Sequence, residues 1–276
     1  DTEGIQLSYS GSVTVSTMSK YLDVLNAEEY FDAMMQSYEN ANKWYGKNYS
    51  LNRADHFKDP NLFHADGMPI YDTDWQREST RTSFSHNHQL NIQQGGKNSS
   101  MGAFLNYTDQ QGIMLNNYMK RLNAKLTYDA KPTDGVSTGI NLLVNHTWGK
   151  EVVEGGGNNV PRRSMIEMVP FLPVKFPDGT WSSSATITDN LGLEGFANPV
   201  HMLETQQHHK YRTQIFGNAA LTFHILPGLD LKTQLGIDAH INKTRNYSPN
   251  DLENESSPNG AAHVIDGNVL YWQEET

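Results

Sequence analysis

Cysteine is absent from the sequence. Its absence excludes a disulfide framework, cysteine-ligated zinc and thiol catalysis. Positive charge is also scarce, because 21 Lys and Arg residues stand against 31 Asp and Glu residues and the formal net charge is -10. A protein that binds nucleic acid usually presents a basic face, so this balance argues against a nucleic-acid partner.

Long hydrophobic runs are absent too. The mean hydropathy is -0.63, and no apolar run approaches the roughly 20 residues that a transmembrane helix needs. No signal-peptide pattern opens the chain, so we expect either that such a segment was removed or that the chain starts inside a longer protein. A membrane protein of the barrel type still fits, because a barrel strand exposes only every second residue to lipid.

Apolar and polar residues alternate along most of the chain, which is typical of strands with one apolar face. The clearest run sets Leu122, Ala124 and Leu126 against Asn123 and Lys125. Such runs exceed the usual globular strand of about 5–6 residues and reach the roughly 9–11 that a membrane-spanning strand needs. A soluble sandwich has the same pattern, so alternation alone does not decide. Strands are predicted near 4–17, 84–95, 99–108, 117–130, 136–149, 209–225, 229–244 and 269–276.

Short and long connections alternate between these predicted strands. Tight turns rich in Gly, Pro, Asn and Asp lie at 95–98, 131–135 and 226–228, where such residues favour chain reversal. The other connections are the predicted external loops 18–83, 109–116, 150–208 and 245–268. This alternation is how outer-membrane barrels are built. We therefore predict an all-β fold, an antiparallel up-and-down transmembrane β-barrel segment of about seven to eight strands from a larger barrel.

One short helix is predicted in the first long loop. Asn26 followed by Glu29 is a variant of the capping box. An apolar face follows at helical spacing, and the pattern fades before Gly46. Apolar helix faces usually pack on their own protein, so we expect this face to pack on the rest of the loop rather than on a partner.

Aromatic residues lie near the ends of several apolar faces. Interfacial aromatic girdles of a barrel predict that placement, although ordinary strand propensity would also favour aromatic residues there. The residues concerned are Tyr118, Tyr128, Trp148, Tyr211 and Phe223.

Several strings, in order along the chain, resemble the SusC/RagA family of TonB-dependent transporters. Residues 21–30 (YLDVLNAEEY) resemble the segment after the first barrel strand of that family, and 72–76 (DTDWQ) the stretch before the second. Residues 107–113 (YTDQQGI) resemble the exit of the third strand. Residues 173–174, 177–180 and 198–200 resemble its proline-rich external loop. The likeness covers nearly the whole chain.

The resemblance implies that residues 1–276 are a partial TonB-dependent-receptor β-barrel domain in the outer membrane of a Gram-negative, Bacteroidetes-like cell. Family members are longer, with an N-terminal plug inside a barrel of about 22 strands. The implied function is import of glycans or peptides, without enzyme activity. The implied partners are a SusD-like surface lipoprotein, TonB acting through the missing N-terminal part, an oligosaccharide or peptide ligand, and outer-membrane lipid.

The candidate ligand contacts are three loop aromatics and two loop arginines. Trp44, Trp75 and Trp181 offer faces on which sugar rings stack, and Arg162 and Arg163 could meet acidic groups. The alternative for each is packing inside the loop. We expect no catalytic constellation, no cofactor and no metal site.

Two other classes of protein are the rivals to an importer. The first is a soluble, secreted all-β glycan-binding module, which would bury the apolar faces of two sheets against each other. The second is a surface glycoside hydrolase, which would need two carboxylates at catalytic separation in a cleft. The environment of the apolar strand face distinguishes the first rival from a barrel wall.

Overall fold

The computed structural model describes residues 4–153, 160–183, 195–252 and 258–275. Eight strands form one sheet, in which each strand pairs with its neighbours in the chain and every pair is antiparallel. The predicted up-and-down strand order is confirmed. The strands are β1 (Gly4–Ser16), β2 (Ser83–Gly95), β3 (Ser99–Gln111), β4 (Tyr118–Thr133), β5 (Val136–Lys150), β6 (Gln207–Leu226), β7 (Leu229–Ser248) and β8 (Ala261–Glu275).

The strand β8 begins earlier than the sequence pattern predicts. Alternation is clear only from Val269, but pairing of Ser248 with Ala261 extends both β7 and β8 outward. Backbone hydrogen bonds to β7, rather than an apolar face, therefore set where β8 begins.

Helices occupy the long connections. They are α1 (Ala27–Tyr45), α2 (Trp75–Glu78), α3 (Pro161–Glu167) and α4 (Pro199–Thr205), with a 3₁₀ turn at Arg53–Asp55. The sequence pattern predicts only α1, because a helix of one or two turns is too short to show helical periodicity. None of the helices in the described ranges is long and apolar enough to cross a membrane.

The caps of α1 are those that its sequence predicts. The Asn26 side chain accepts a hydrogen bond from the Glu29 amide at 2.9 Å, and the Asn26 amide donates to Glu29 Oε2 at 3.0 Å. The helix ends at Gly46, whose φ of 62° is left-handed, a conformation that glycine adopts without the steric cost of a Cβ.

Register aligns most of the apolar residues of β1 to β7 on one face of the sheet, and Leu270 and Trp272 of β8 join them. The polar face carries amide side chains, and Asn123 donates to Asn106 while Asn106 donates to Asn87. One apolar row contains Tyr9, Leu90, Leu105, Ala124, Val144, Ile215, Ala239 and Leu270. The adjacent polar row contains Ser10, Gln89, Asn106, Asn123, Asn145, Gln214 and His240.

The apolar face of the sheet has no protein cover among the described residues. Leu235 is 58% exposed and Leu270 is 63% exposed. Apolar area in water costs about 25 cal/mol per Å², so a soluble protein would bury this face. The buried second layer that a soluble sandwich needs is not present in the described ranges.

Aromatic and charged side chains border this apolar face. Towards the loop ends of the strands, Trp148 and Tyr211 share a row with Lys120 and Asp109. Lys120 and Asp109 form an ion pair of 3.0 Å. Tyr128 lies at the opposite edge, towards the tight turns. This arrangement agrees with the predicted girdles at the two edges of a membrane.

The buried core lies outside the sheet, in a structure that we call the loop layer: residues 18–82, 112–117, 160–183 and 195–206. Phe31 of α1 is completely buried, and its ring centroid is 4.3 Å from that of Phe57 and 5.0 Å from that of Phe171. Residues from separate loops thus share one core, which confirms that the apolar face of α1 packs on the loop.

Introducing a lysine on either face of β6 tests which face meets lipid. We expect Ile215→Lys, on the apolar face, to lower the free energy of unfolding by about 2–4 kcal/mol, because the ammonium group would enter hydrocarbon. The adjacent Gln214→Lys, on the polar face, is the matched control and should have little effect. Urea unfolding in lipid vesicles measures both, and equal destabilisation would contradict the assignment of the faces.

Candidate entrance cleft

The loop layer meets the polar face of the sheet at the ends of β3 to β6, and two adjoining cavities lie there. The larger, about 930 Å³, lies between the loop layer and the start of β6. The smaller, about 320 Å³, continues along the polar face of β4, β5 and β6. Gly112, Asn117, Glu151 and Lys210 line both cavities, so we treat them as one entrance cleft.

The β3–β4 turn forms one wall of the entrance cleft. Arg81 holds this turn, because its guanidinium donates to Gly112 O at 3.3 Å and to Asn117 O at 3.3 Å. The Asn117 side chain in turn donates to Lys150 O at 3.1 Å. These bonds fix the turn between the loop layer and β5.

Gln76 of α2 positions a second wall. Its side chain accepts a hydrogen bond from the Leu22 amide at 2.9 Å and donates to Leu22 O at 2.9 Å. Gln76 is buried, so both bonds are shielded from water. They hold the segment that carries Met18 and Lys20 against the cleft.

The entrance cleft is basic although the chain is acidic. Glu151 is the single acidic residue among the described residues that line either cavity, and Lys210 Nζ lies 2.5 Å from its Oε2. The basic lining residues are Lys20, Arg121, Arg162, Lys210 and Arg212. This excess of positive charge suits a ligand with anionic groups.

The three candidate tryptophans lie away from the entrance cleft. Trp44 is 70% exposed near the end of α1, with Lys43 over its ring. Trp75 is only 3% exposed, and its Nε1 donates to Val169 O at 2.9 Å. Trp75 therefore packs inside the loop layer, as the alternative interpretation predicts.

Trp181 packs on a histidine of α4. Its ring is nearly parallel to that of His201, with 4.3 Å between centroids, and Lys175 Nζ lies 3.8 Å from the Trp181 ring centroid. Burial lowers the pKa of His201, although nearby Asp251 opposes this effect. At neutral pH the stack is therefore between two uncharged rings.

The two candidate arginines have different surroundings. Arg162 lines the larger cavity. Arg163 instead pairs with Glu167 at 2.9 Å and lies over the Phe196 ring. Of the five candidates, only Arg162 lines the entrance cleft.

Lys20, Arg121, Lys210 and Arg212 line the cleft but are not among the candidates from the sequence. The alternation pattern places Arg121 and Arg212 on the polar face near the loop ends of their strands. That signal could have identified them, but their proximity depends on strand register, which alternation leaves open.

Trp75 and Trp44 form a matched pair for a stability test. We expect Trp75→Ala to lower the free energy of unfolding of the loop layer by about 3–5 kcal/mol, because it leaves a cavity and an unpaired carbonyl. Trp44→Ala should change it by less than about 0.5 kcal/mol. Limited proteolysis of the loops at increasing temperature measures both effects. Equal sensitivity of the two variants to the protease would contradict the conclusion that Trp75 stabilises the loop layer.

Comparisons with known protein sequences find TonB-dependent receptors. No family model matches the chain. The TonB-dependent receptor SusC of Bacteroides thetaiotaomicron is 26% identical over 256 residues, which cover 83% of this chain and 22% of that protein. The TonB-dependent receptor P3 of Formosa agariphila is 21% identical over 253 residues, which cover 89% of this chain and 22% of that protein.

Solved structures of the RagAB peptide importer share the fold. For its closed-closed state the TM-score is 0.70 at 15% sequence identity, and the match covers 98% of this chain and 32% of the importer chain. For its open-open state the TM-score is 0.68 at 15% sequence identity, and the match covers 98% of this chain and 31% of the importer chain.

These relatives are named as receptors and importers rather than enzymes, which fits the expectation that the chain is not an enzyme. The chain spans 22% of the length of the curated relatives. The predicted outer-membrane location agrees with all of them. The chain is similar in sequence to SusC and has the fold of a RagA-type barrel segment, so the predicted resemblance to the SusC/RagA family is confirmed over most of its length.

Proposed function

We propose that the chain supplies part of the barrel wall and the external entrance loops of a TonB-dependent outer-membrane importer of glycans or peptides. The observation that carries this proposal is the uncovered apolar face of the sheet, opposite a polar face that leads into the entrance cleft. A wall between lipid and an aqueous bore needs those two faces. Binding and passage, rather than catalysis, are the roles that we assign to the cleft.

We propose that the rest of the barrel comes from adjoining sequence, so that residues 1–276 form a partial barrel domain. In the described sheet β1 pairs only with β2, and β8 pairs only with β7. Hydrocarbon cannot satisfy the free backbone groups of such edges. Further strands would close them.

The partners that we propose follow from the family resemblance. A SusD-like surface lipoprotein would cover the loop layer, and TonB would act through the N-terminal plug of such an importer. The shared aromatic core of the loop layer supports the proposed lipoprotein contact, because loops that are packed together keep their outer surface in one shape before a partner binds. The ligand is an oligosaccharide or a peptide, and outer-membrane lipid contacts the apolar face.

The isolated chain tests the proposal that it is one part of a larger barrel. Reconstituted alone in liposomes, it should take up no labelled oligosaccharide or peptide above the level of empty liposomes, because its edge strands are unpaired. The control is the intact protein from its native membrane. Uptake by the isolated chain at the rate of the intact protein would contradict the proposal.

Deletion of the gene in its natural host tests the import function. Cells that lack the protein should lose energy-dependent uptake of the labelled glycan or peptide mixture that wild-type cells take up. Complementation with the intact gene should restore it. Unchanged uptake of every mixture in the deletion strain would refute the import function.

A further inference from the structure

Several cations on the sheet have an acidic partner in this acidic chain. Arg245 contacts Asp266 at 2.6 Å, and Lys210 contacts Glu151 at 2.5 Å. With 31 acidic and 21 basic residues in the chain, carboxylate partners are not scarce, and an arginine that contacts none of them keeps its guanidinium donors for a ligand.

Arg121 and Arg212 are two such arginines, and they lie in the same row of the polar face. Arg121 pairs with Thr147 across β4 and β5, and Thr147 pairs with Arg212 across β5 and β6. Their backbones are therefore about 10 Å apart, within reach of one ligand group for two long side chains. The row also contains Asn87 and Thr108, and it holds no carboxylate.

Neither arginine forms an ion pair with a residue of the described ranges. The nearest contact of Arg121 is weak, from Nη2 to Met119 Sδ at 3.8 Å. Both side chains are exposed on the wall of the smaller cavity. A guanidinium group presents paired donors that match the two oxygens of a carboxylate.

The larger cavity indicates what kind of molecule carries that carboxylate. Three of its lining residues are methionines, Met18, Met114 and Met165, joined by Leu22 and Ile166. Methionine adapts its shape to varied apolar groups. No Phe, Tyr or Trp lines this cavity among the described residues, and Tyr118 and Trp148 of the smaller cavity belong by register to the apolar face, so the described cleft offers a sugar ring no aromatic face from its polar side. An adaptable aliphatic lining favours peptide side chains over sugars.

We propose that Arg121 and Arg212 form a subsite that binds the terminal carboxylate of a peptide whose apolar side chains occupy the methionine-lined cavity. The inference rests on the proposed import function and specifies its substrate class. Of the three basic residues that line the smaller cavity, Lys210 is paired with Glu151, so the two arginines are the groups that contact the carboxylate there.

The test uses the intact protein, purified from its native membrane, and a fluorescein-labelled octapeptide library with free C-termini. The same library with amidated C-termini lacks the carboxylate. We expect wild-type protein to bind the free library roughly tenfold or more tightly than the amidated one, the range of a charged hydrogen-bonded contact. The double variant Arg121→Gln/Arg212→Gln should bind both libraries equally weakly.

Lys232→Gln is the matched control, because Lys232 lies on the same polar face at the tight-turn end of the sheet. It should retain the wild-type preference. The wild-type comparison of the two libraries needs no variant, so it decides the matter even if the double variant does not fold.

Equal binding of both libraries by wild-type protein would overturn the subsite, as would an unchanged preference in a folded double variant. An oligogalacturonate that displaces the arginine-dependent ligand better than any peptide would overturn the peptide assignment. Uptake that depends on the gene but not on the terminal carboxylate would refute the subsite and leave the import function standing. Uptake independent of the gene would refute the import function itself.

Discussion

The apolar face of the eight-stranded sheet is the constraint on which the rest of the structure depends. Across β1 to β7, register places most apolar side chains on one surface, and no other described part of the chain covers it. In water such a surface would be unstable. In hydrocarbon it is stable, provided that the backbone hydrogen bonds are made between strands, which the described sheet achieves everywhere except at its two edge strands, β1 and β8.

That constraint explains where the core of this chain lies. Because one sheet face meets lipid and the other meets water, neither can serve as the packed interior of a globular domain. Loop residues supply the packed interior instead, and aromatic residues such as Phe31 and Phe171 gather there from distant parts of the sequence. The described parts of the long connections are therefore folded structure, which gives the entrance cleft its fixed walls.

The charge distribution follows a similar division. Ion pairs such as Lys120 with Asp109 lie at the border of the apolar face, where a charge can remain hydrated. In the entrance cleft, by contrast, basic groups outnumber the single acidic lining residue of the described part. An acidic protein thus has a basic opening, so local electrostatics rather than net charge decides which ligands are favoured there.

The sequence alone determined β1 to β7, the alternation of short and long connections, and the caps of α1, because each is a local property of neighbouring residues, whereas pairing with β7 decided where β8 begins. The entrance cleft was beyond its reach, since Arg121 and Arg212 meet only through the register of β4, β5 and β6. Trp75 shows the same limit, because burial by a distant loop decided that it packs instead of facing a ligand. Alternation fixes which face a residue occupies, and tertiary contacts decide which residues share a site.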